Sequence, residues 1–380
     1  MRIMIDATSI ADMTFGTSQY AWRLLQALAE LDSDNYYHVL IRRSLSLQHP
    51  LHQLAQWPNF ILVPTVIRPG SPLQQFKLLQ PGTRPAADVF HCLNFNLPLL
   101  ANPYPSVCTI HDLKFLIYPD LLKRWIKLKR FYFQIVARLA VSRCVHVIAV
   151  SEATRQDVIR YFGVSPHKVT TIYEASALNV HEDSLQPDSE WLRNQFGIRA
   201  PYFFMLGYKR PHKNLERAIA AFLKFLDFTG DSRWQLVITG GAYKNYDPLH
   251  VLSPRYHGKI VTTGYVDEAT LDKLYRGAYA LFFPSLYEGF GLPLLEAMER
   301  GVPVITSNVS SLPEVAGEAA LFVDPHSVSS MAHGLMKMTN PHIRQDCIRK
   351  GLLRSAKFNW HTTASKTLEI YRKAISKTPV

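Results

Sequence analysis

The sequence predicts an α/β protein of two domains, each built around a parallel sheet, and three observations carry that expectation. Short apolar runs alternate with longer amphipathic stretches along the whole chain, the pattern of strands joined by crossover helices. A polar stretch at 174–201, with Glu182, Asp183, Ser184, Pro187, Asp188, Ser189 and Glu190, divides those runs into two sets and reads as an exposed linker. At 380 residues and 47% hydrophobic, with mean hydropathy near zero, the chain can bury two ordinary cores.

The first set of strands is expected at 2–7, 37–41, 60–64, 89–92, 107–110, 145–150 and 169–172. The run at 2–7 holds Ile3, Met4 and Ile5, and Gly16 and Thr17 then open a helix carrying Tyr20, Trp22 and Leu24. The second set is expected at 202–206, 235–239, 260–262, 280–283, 302–306 and 320–323. Trp360, Ala364, Leu368 and Tyr371 then recur at helical spacing, so the chain closes on a helix. The domains are placed at 1–180 and 181–358, with a terminal helix at 359–380. Open α/β sheets bind ligands beyond the C-terminal ends of their strands, so the chemistry is expected in a cleft between the two domains.

Composition narrows the function classes. No run approaches the roughly 18 apolar residues of a spanning helix, and Asp6 interrupts the apolar N-terminus where a signal peptide needs its core. The expectation is a cytoplasmic protein, peripheral to the inner face of the cell membrane. Cys92, Cys108, Cys144 and Cys347 are too scattered for a disulfide framework or a metal pair, and three of them lie in apolar runs as small core residues. The net charge of +12 calls for a polyanionic partner.

Residues 282–303 carry the chemistry. An apolar strand stops at Pro284, a turn with Gly289 and Gly291 follows, Pro293 suits the first helical position, and Gly301 supplies a left-handed stop. The glycines let backbone approach a ligand closely, and the first-turn amides lack intrahelical acceptors, so a phosphate fits there. Glu288 precedes that turn and Glu296 lies about one turn into the helix, roughly 5 Å further along its axis, so two carboxylates flank the site. Carboxylates beside a phosphate make sense as acceptors for hydroxyls, which a sugar nucleotide offers on both sides of its diphosphate.

This stretch, PSLYEGFGLPLLEAMERGVPVITSNVSSLPEVAGEAALFVDP, resembles the C-terminal signature of glycosyltransferase family 4, and the resemblance covers most of the chain. The similarity is strongest in the C-terminal half and at 111–161, and the subgroup is that of bacterial mannosyltransferases of polysaccharide and O-antigen assembly. It implies a GT-B fold, two Rossmann-like domains with parallel sheets facing a cleft, and a retaining, metal-independent hexosyltransferase without cofactor. Carried over to this chain, it makes Glu288 the ligand of donor-sugar hydroxyls and Glu296 that of the ribose. Gly289, Phe290, Gly291 and Leu292 offer backbone to the donor, and Gly264, Tyr265 and Val266 border the base. Lys213 neutralises the diphosphate. Tyr208 stands where the family has an arginine and His212 at the subgroup's alternative, which leaves Lys209 or Arg210 to substitute.

His111 and Asp112 follow a strand; the resemblance implies that this histidine lies beside the reacting centre, so the two are the expected acceptor-side catalytic pair, with Glu288 the third catalytic residue. Gly16 is assigned by the resemblance to donor binding, in a loop where the family commonly has two or more glycines for contact with phosphate and acceptor, and Tyr173, Glu174 and Ala175 replace its Asn-Gly turn. Two features are decoys. Asp32 and Asp34 have a metal-binding spacing but read as a solvated turn, and Gly240-Gly241 is no dinucleotide fingerprint.

From 121 to 151 there is no acidic residue, while Lys123, Arg124, Lys127, Lys129, Arg130, Arg138 and Arg143 are present among Trp125, Phe131, Tyr132 and Ile135. This is the composition of an interfacial helix for an anionic membrane surface, with no nucleic-acid signature beside it. The expected function is transfer of a hexose, mannose from GDP-mannose, to a lipid-linked or glycan acceptor. The alternatives are a UDP-sugar donor, a nucleotide-sugar 2-epimerase, and a degenerate sugar-nucleotide-binding protein.

Overall fold

Each expected strand is present, and each sheet is wholly parallel. The computed structural model describes residues 1–10, 16–67, 71, 73–77, 85–100, 102–118, 126–176, 178, 188–199, 201–207, 210–240 and 254–376. These divide into two compact units, Met1–Ala175 together with Asn359–Val380, and Ser176–Phe358.

In chain order the first unit has β1 (Arg2–Asp6), α1 (Gly16–Leu31), β2 (Tyr36–Arg42), β3 (Phe60–Thr65), α2 (Gln74–Lys77), β4 (Val89–Cys92) and β5 (Ser106–Ile110). It continues with α3 (Lys114–Ile117), α4 (Ile126–Arg143), β6 (His146–Ala149), α5 (Glu152–Phe162) and β7 (Val169–Thr171). The second has α6 (Ser189–Phe196), β8 (Tyr202–Leu206), α7 (Leu215–Thr229), β9 (Gln235–Thr239), β10 (Ile260–Gly264), α8 (Glu268–Gly277) and β11 (Ala280–Phe283). It ends with α9 (Leu292–Glu299), β12 (Val304–Ser307), α10 (Leu312–Ala316), β13 (Ala320–Val323), α11 (Val328–Met338) and α12 (Pro341–Ser355), after which α13 (Trp360–Ser376) returns to the first unit.

The spatial order is β3-β2-β1-β4-β5-β6-β7 in one sheet and β10-β9-β8-β11-β12-β13 in the other. The order reverses beside the first strand of each, between β1 and β4 and between β8 and β11. Such a switch point opens a crevice at the C-terminal strand ends, because the two loops there leave in opposite directions.

Burial explains why these segments are strands and helices. The four residues of β11 are all buried, and so are the five of β9, as sheets covered on both faces require. In α7, Leu215, Ala218, Ile219, Phe222, Phe225 and Leu226 recur at helical spacing and form one buried stripe. Phe203 and Trp234 stack beneath it with ring centroids 4.9 Å apart. Each fully buried phenylalanine contributes about 2 to 3 kcal/mol. All four cysteines are free and buried, as core residues.

α13 packs on α1, where Tyr20 and Trp360 meet edge to face at 5.7 Å. Tyr371 reaches the sheet itself, its hydroxyl hydrogen-bonded at 2.6 Å to Nδ1 of the fully buried His91, whose Nε2 meets Thr109 Oγ1 at 2.8 Å.

Two expectations require correction. The segment 174–201 is not simply an exposed linker, because Glu174 is buried and α6 lies within it. The acidic residues that mark this segment as polar are partly a helix start, for Asp188 accepts from the Trp191 amide and Glu190 sits in the first turn. Asp32 is likewise no solvated residue. It is buried and accepts hydrogen bonds from Tyr37, from the Asn35 side chain at 2.7 Å and from the Asp34 amide at 3.1 Å.

Candidate active site

The switch point of the second sheet gathers charged groups. The loop leaving β8 carries Lys213 and the loop leaving β11 carries Glu288, and their side chains pair at 2.7 Å, 17% and 15% exposed. Lys213 Nζ also lies 4.5 Å from the centroid of the Phe283 ring at the end of β11. The loops are stitched together. The Leu286 amide donates to the His212 carbonyl at 2.7 Å, and Asn214 Nδ2 donates to the carbonyls of Pro284 and Pro325 at 3.1 and 2.6 Å.

The turn from Glu288 into α9 is held from below by two serines that sequence reading does not single out. Ser310 Oγ donates to the Glu288 carbonyl at 2.6 Å, and its own backbone adopts a left-handed φ of 60°. Ser311 Oγ donates to the Phe290 carbonyl at 2.6 Å. Gly291 is required where it stands, since its φ is 119° and a Cβ would come within 3.0 Å of Leu312 Cδ2. Pro293 is the second residue of α9, not the first as expected, because Leu292 already has helical geometry. Gly291 has no side chain to cap the helix and Pro293 has no N–H, so the turn presents the amides of Gly291 and Leu292. Gly301, at φ 66°, ends the segment as expected.

Glu296, in the middle of α9, is 8% exposed and accepts from Tyr275 Oη at 2.7 Å. It is therefore neither a helix cap nor a solvated surface residue. Burial pushes its pKa above the usual carboxylate range, while the Tyr275 hydrogen bond and Arg300 pull it back. No contact joins Glu296 to Glu288 among the described residues.

Gly264 ends β10 with a φ of 71°, and its carbonyl accepts from the Gly240 amide at 3.0 Å and from Thr239 Oγ1 at 3.1 Å. Tyr265 beyond it is exposed and Val266 is half-buried. Arg210 is exposed at the head of the short turn Pro211–Lys213. Tyr208 and Lys209 lie outside the described residues, as do Lys123, Arg124 and Trp125. Lys127, Lys129 and Arg130 fall in the first turns of α4.

In the first unit Gly16 begins α1 and is exposed. His111 and Asp112 do follow β5, but they do not form a pair. Asp112 turns to Lys114, whose Nζ lies 2.8 Å away, and caps the Lys114 amide at 3.1 Å. His111 Nε2 meets the Leu93 carbonyl at 3.0 Å and Nδ1 meets Glu174 Oε1 at 3.1 Å. A carbonyl only accepts, so Nε2 carries a hydrogen. Both ring nitrogens are engaged, which removes His111 as a free base and Asp112 as its partner in this arrangement. Glu174, 63 residues away in sequence, carries no local signal of this role beyond its place in the strand-end turn.

Two family models match the chain, "Glycosyltransferase Family 4" over residues 16–175 and "Glycosyl transferases group 1" over 188–353. O-antigen chain mannosyltransferase B of Escherichia coli is 30% identical over 287 residues, which is 75% of this chain and 74% of that protein. Among solved structures, sucrose-phosphate synthase of Thermosynechococcus elongatus superposes with a TM-score of 0.73 at 19% identity, covering 100% of both chains. Anabaena HepE in complex with UDP-glucose superposes with a TM-score of 0.70 at 16% identity, covering 98% of this chain and 100% of that one.

Proposed function

The chain belongs to the group 1 and family 4 glycosyltransferases and has their GT-B fold, and on that premise we propose that it transfers mannose from GDP-mannose to a lipid-linked or glycan acceptor with retention of configuration. The observation that carries this reading is the pairing of Lys213 with Glu288 at a switch point, directly before a helix that holds Glu296. A cation, backbone amides and two carboxylates suit the phosphates and hydroxyls of a nucleotide sugar. Mannose as the sugar follows the E. coli relative, whose name makes it a mannosyltransferase.

In the proposed reaction Lys213 and the Gly291 and Leu292 amides take the charge that grows on the diphosphate as the anomeric C–O bond breaks. The acceptor hydroxyl attacks the anomeric carbon from the face the nucleotide leaves. Its proton passes to the departing phosphate oxygen, so the new glycosidic bond forms as GDP departs. Glu288 accepts from a sugar hydroxyl and Glu296 from the ribose. His111 is assigned to the acceptor side as a fixed hydrogen-bonding group, and Gly16 at the head of α1 to backbone contact with phosphate and acceptor.

Calorimetry with GDP, UDP, ADP and TDP, followed by turnover assays with the matching sugar nucleotides, tests the donor. Tightest binding of GDP and transfer from GDP-mannose are expected. Tightest binding of UDP would replace the mannose reading with the UDP-sugar one, and epimerised donor without acceptor would replace it with an epimerase. Glu296→Ala should weaken GDP binding about tenfold or more, since it removes a charge-assisted hydrogen bond. Activity should also survive EDTA, because Lys213 and the helix amides meet the diphosphate charge; a rate lost to EDTA and restored by magnesium or manganese would contradict this.

Membrane association is part of the same proposal. On α4, Phe131 is 61% exposed, and Ile135 and Leu139 follow at four-residue spacing, also exposed, beside Arg138. The opposite side buries Val136, Ala137, Ala140 and Val141. An apolar stripe on the outer face of a helix rich in cations suits the headgroup region of an anionic leaflet. Changing Lys123, Lys127 and Arg130 to glutamate should remove about 3 kcal/mol of attraction, more than a hundredfold in binding. Vesicle sedimentation across salt concentrations checks it, and unchanged binding of anionic vesicles would count against a membrane role.

A further inference from the structure

Glu296 is held by its surroundings before any ligand arrives. Tyr275 Oη, on the last turns of α8, donates to Oε2 at 2.7 Å. A phenol has one proton to give, and Oε1 makes no hydrogen bond among the described residues. Tyr275 is itself fully buried and meets Phe204 edge to face with centroids 5.1 Å apart.

The junction between α8 and α9 is fixed independently of that bond. Arg300, its side chain wholly buried, donates from Nε to Asp272 Oδ1 at 2.6 Å and from Nη1 to the Glu296 carbonyl at 2.9 Å. Arg276 holds the other Asp272 oxygen at 2.7 Å. Arg300 therefore secures the backbone under Glu296, and Tyr275 secures its carboxylate.

We infer that Tyr275 is a positioning residue for ribose recognition, fixing one oxygen of Glu296 so that the other meets a ribose hydroxyl of the nucleoside diphosphate without reorientation. The inference rests on the reading of Glu296 as the ribose ligand. Its physical basis is preorganisation: a carboxylate already in the binding rotamer loses no side-chain freedom when the ligand docks. Without the phenol, a nearly buried carboxylate would lose its one side-chain donor and would take up a proton or turn toward water, and in either case the acceptor is lost.

Tyr275→Phe keeps the ring and its contact with Phe204, and Glu296→Gln serves as the comparison. Calorimetry would measure binding of GDP and its 2′-deoxy and 3′-deoxy forms, or the UDP series if UDP is the diphosphate the parent binds. The parent should bind the form lacking the contacted hydroxyl about tenfold more weakly. Tyr275→Phe should bind the full diphosphate about tenfold more weakly and distinguish the deoxy form by less than about twofold, with kcat at saturating donor unchanged. Arg300→Lys leaves the phenol in place, so it should lower thermal stability yet retain the discrimination. If Tyr275→Phe discriminates as the parent does while Glu296→Gln does not, the positioning role is overturned and the ribose reading stands. If Glu296→Gln also discriminates as the parent does, the ribose reading itself falls.

Discussion

Replacing Lys213 by alanine should lower kcat/KM by a factor of about a hundred to a thousand, the range for losing one preorganised group that stabilises developing charge. The loss is compounded because Glu288, 15% exposed, would then face a diphosphate with no cation between them. Glu288→Ala should behave differently. Turnover should fall about a hundredfold, while GDP affinity should hold or rise, because the 2.7 Å pair must open before Lys213 can reach a phosphate. Steady-state kinetics and GDP calorimetry on both variants and on the double variant separate the two effects. Weaker GDP binding in Glu288→Ala would mean that the pair is a scaffold and not a competition.

Tyr371→Ala should destabilise the unit holding α13 by about 3 to 5 kcal/mol, through the cavity and the unpaired nitrogen it leaves at His91. Tyr371→Phe, which removes only the hydroxyl, should cost about 1 to 3 kcal/mol. Calorimetric unfolding with and without GDP identifies the unit affected, since the nucleotide raises the transition of the unit that binds it.

His91 adds a pH dependence to the same unit. Burial depresses its pKa from 6.5 to about 3, so below pH 6.5 the unfolded chain takes up a proton that the folded one refuses. The unit should therefore lose stability as pH falls from about 6.5 toward 3. Asp6, whose pKa is raised by burial, acts in the opposite sense, and His38, whose pKa is lowered by burial, acts in the same sense as His91. His91→Gln should reduce this slope, as calorimetric unfolding across pH would show.

The strands were legible because a sheet covered on both faces needs unbroken apolar runs, and 202–206 and 280–283 are such runs. The turn at 288–293 was legible because backbone geometry demands glycine at 291 and suits proline at 293. What could not be read were partnerships. Nothing local ties Glu174 to His111, Tyr275 to Glu296 or Ser311 to the Phe290 carbonyl, since each pairing is created by the fold. Asp112 misled for the converse reason. It stands next to His111 in sequence, but in the turn after β5 its side chain bends forward to the Lys114 amide. The helix at Ser189–Phe196 was missed because its capping acids resemble the composition of a linker.

The return of α13 to the first unit makes residues 176–358 an insertion within another folding body. A ribosome moving from N to C would complete the first sheet early and deliver its covering helix last. Until then the groove that receives Tyr371, with His91 at its floor, would stand open, a natural stage for a chaperone to hold. The same threading alters what a protease can achieve. One cut between 178 and 188 would sever the chain yet leave its two pieces bound, because α13 on the second piece stays seated against α1 on the first. A nicked protein should therefore migrate as one particle until it is denatured.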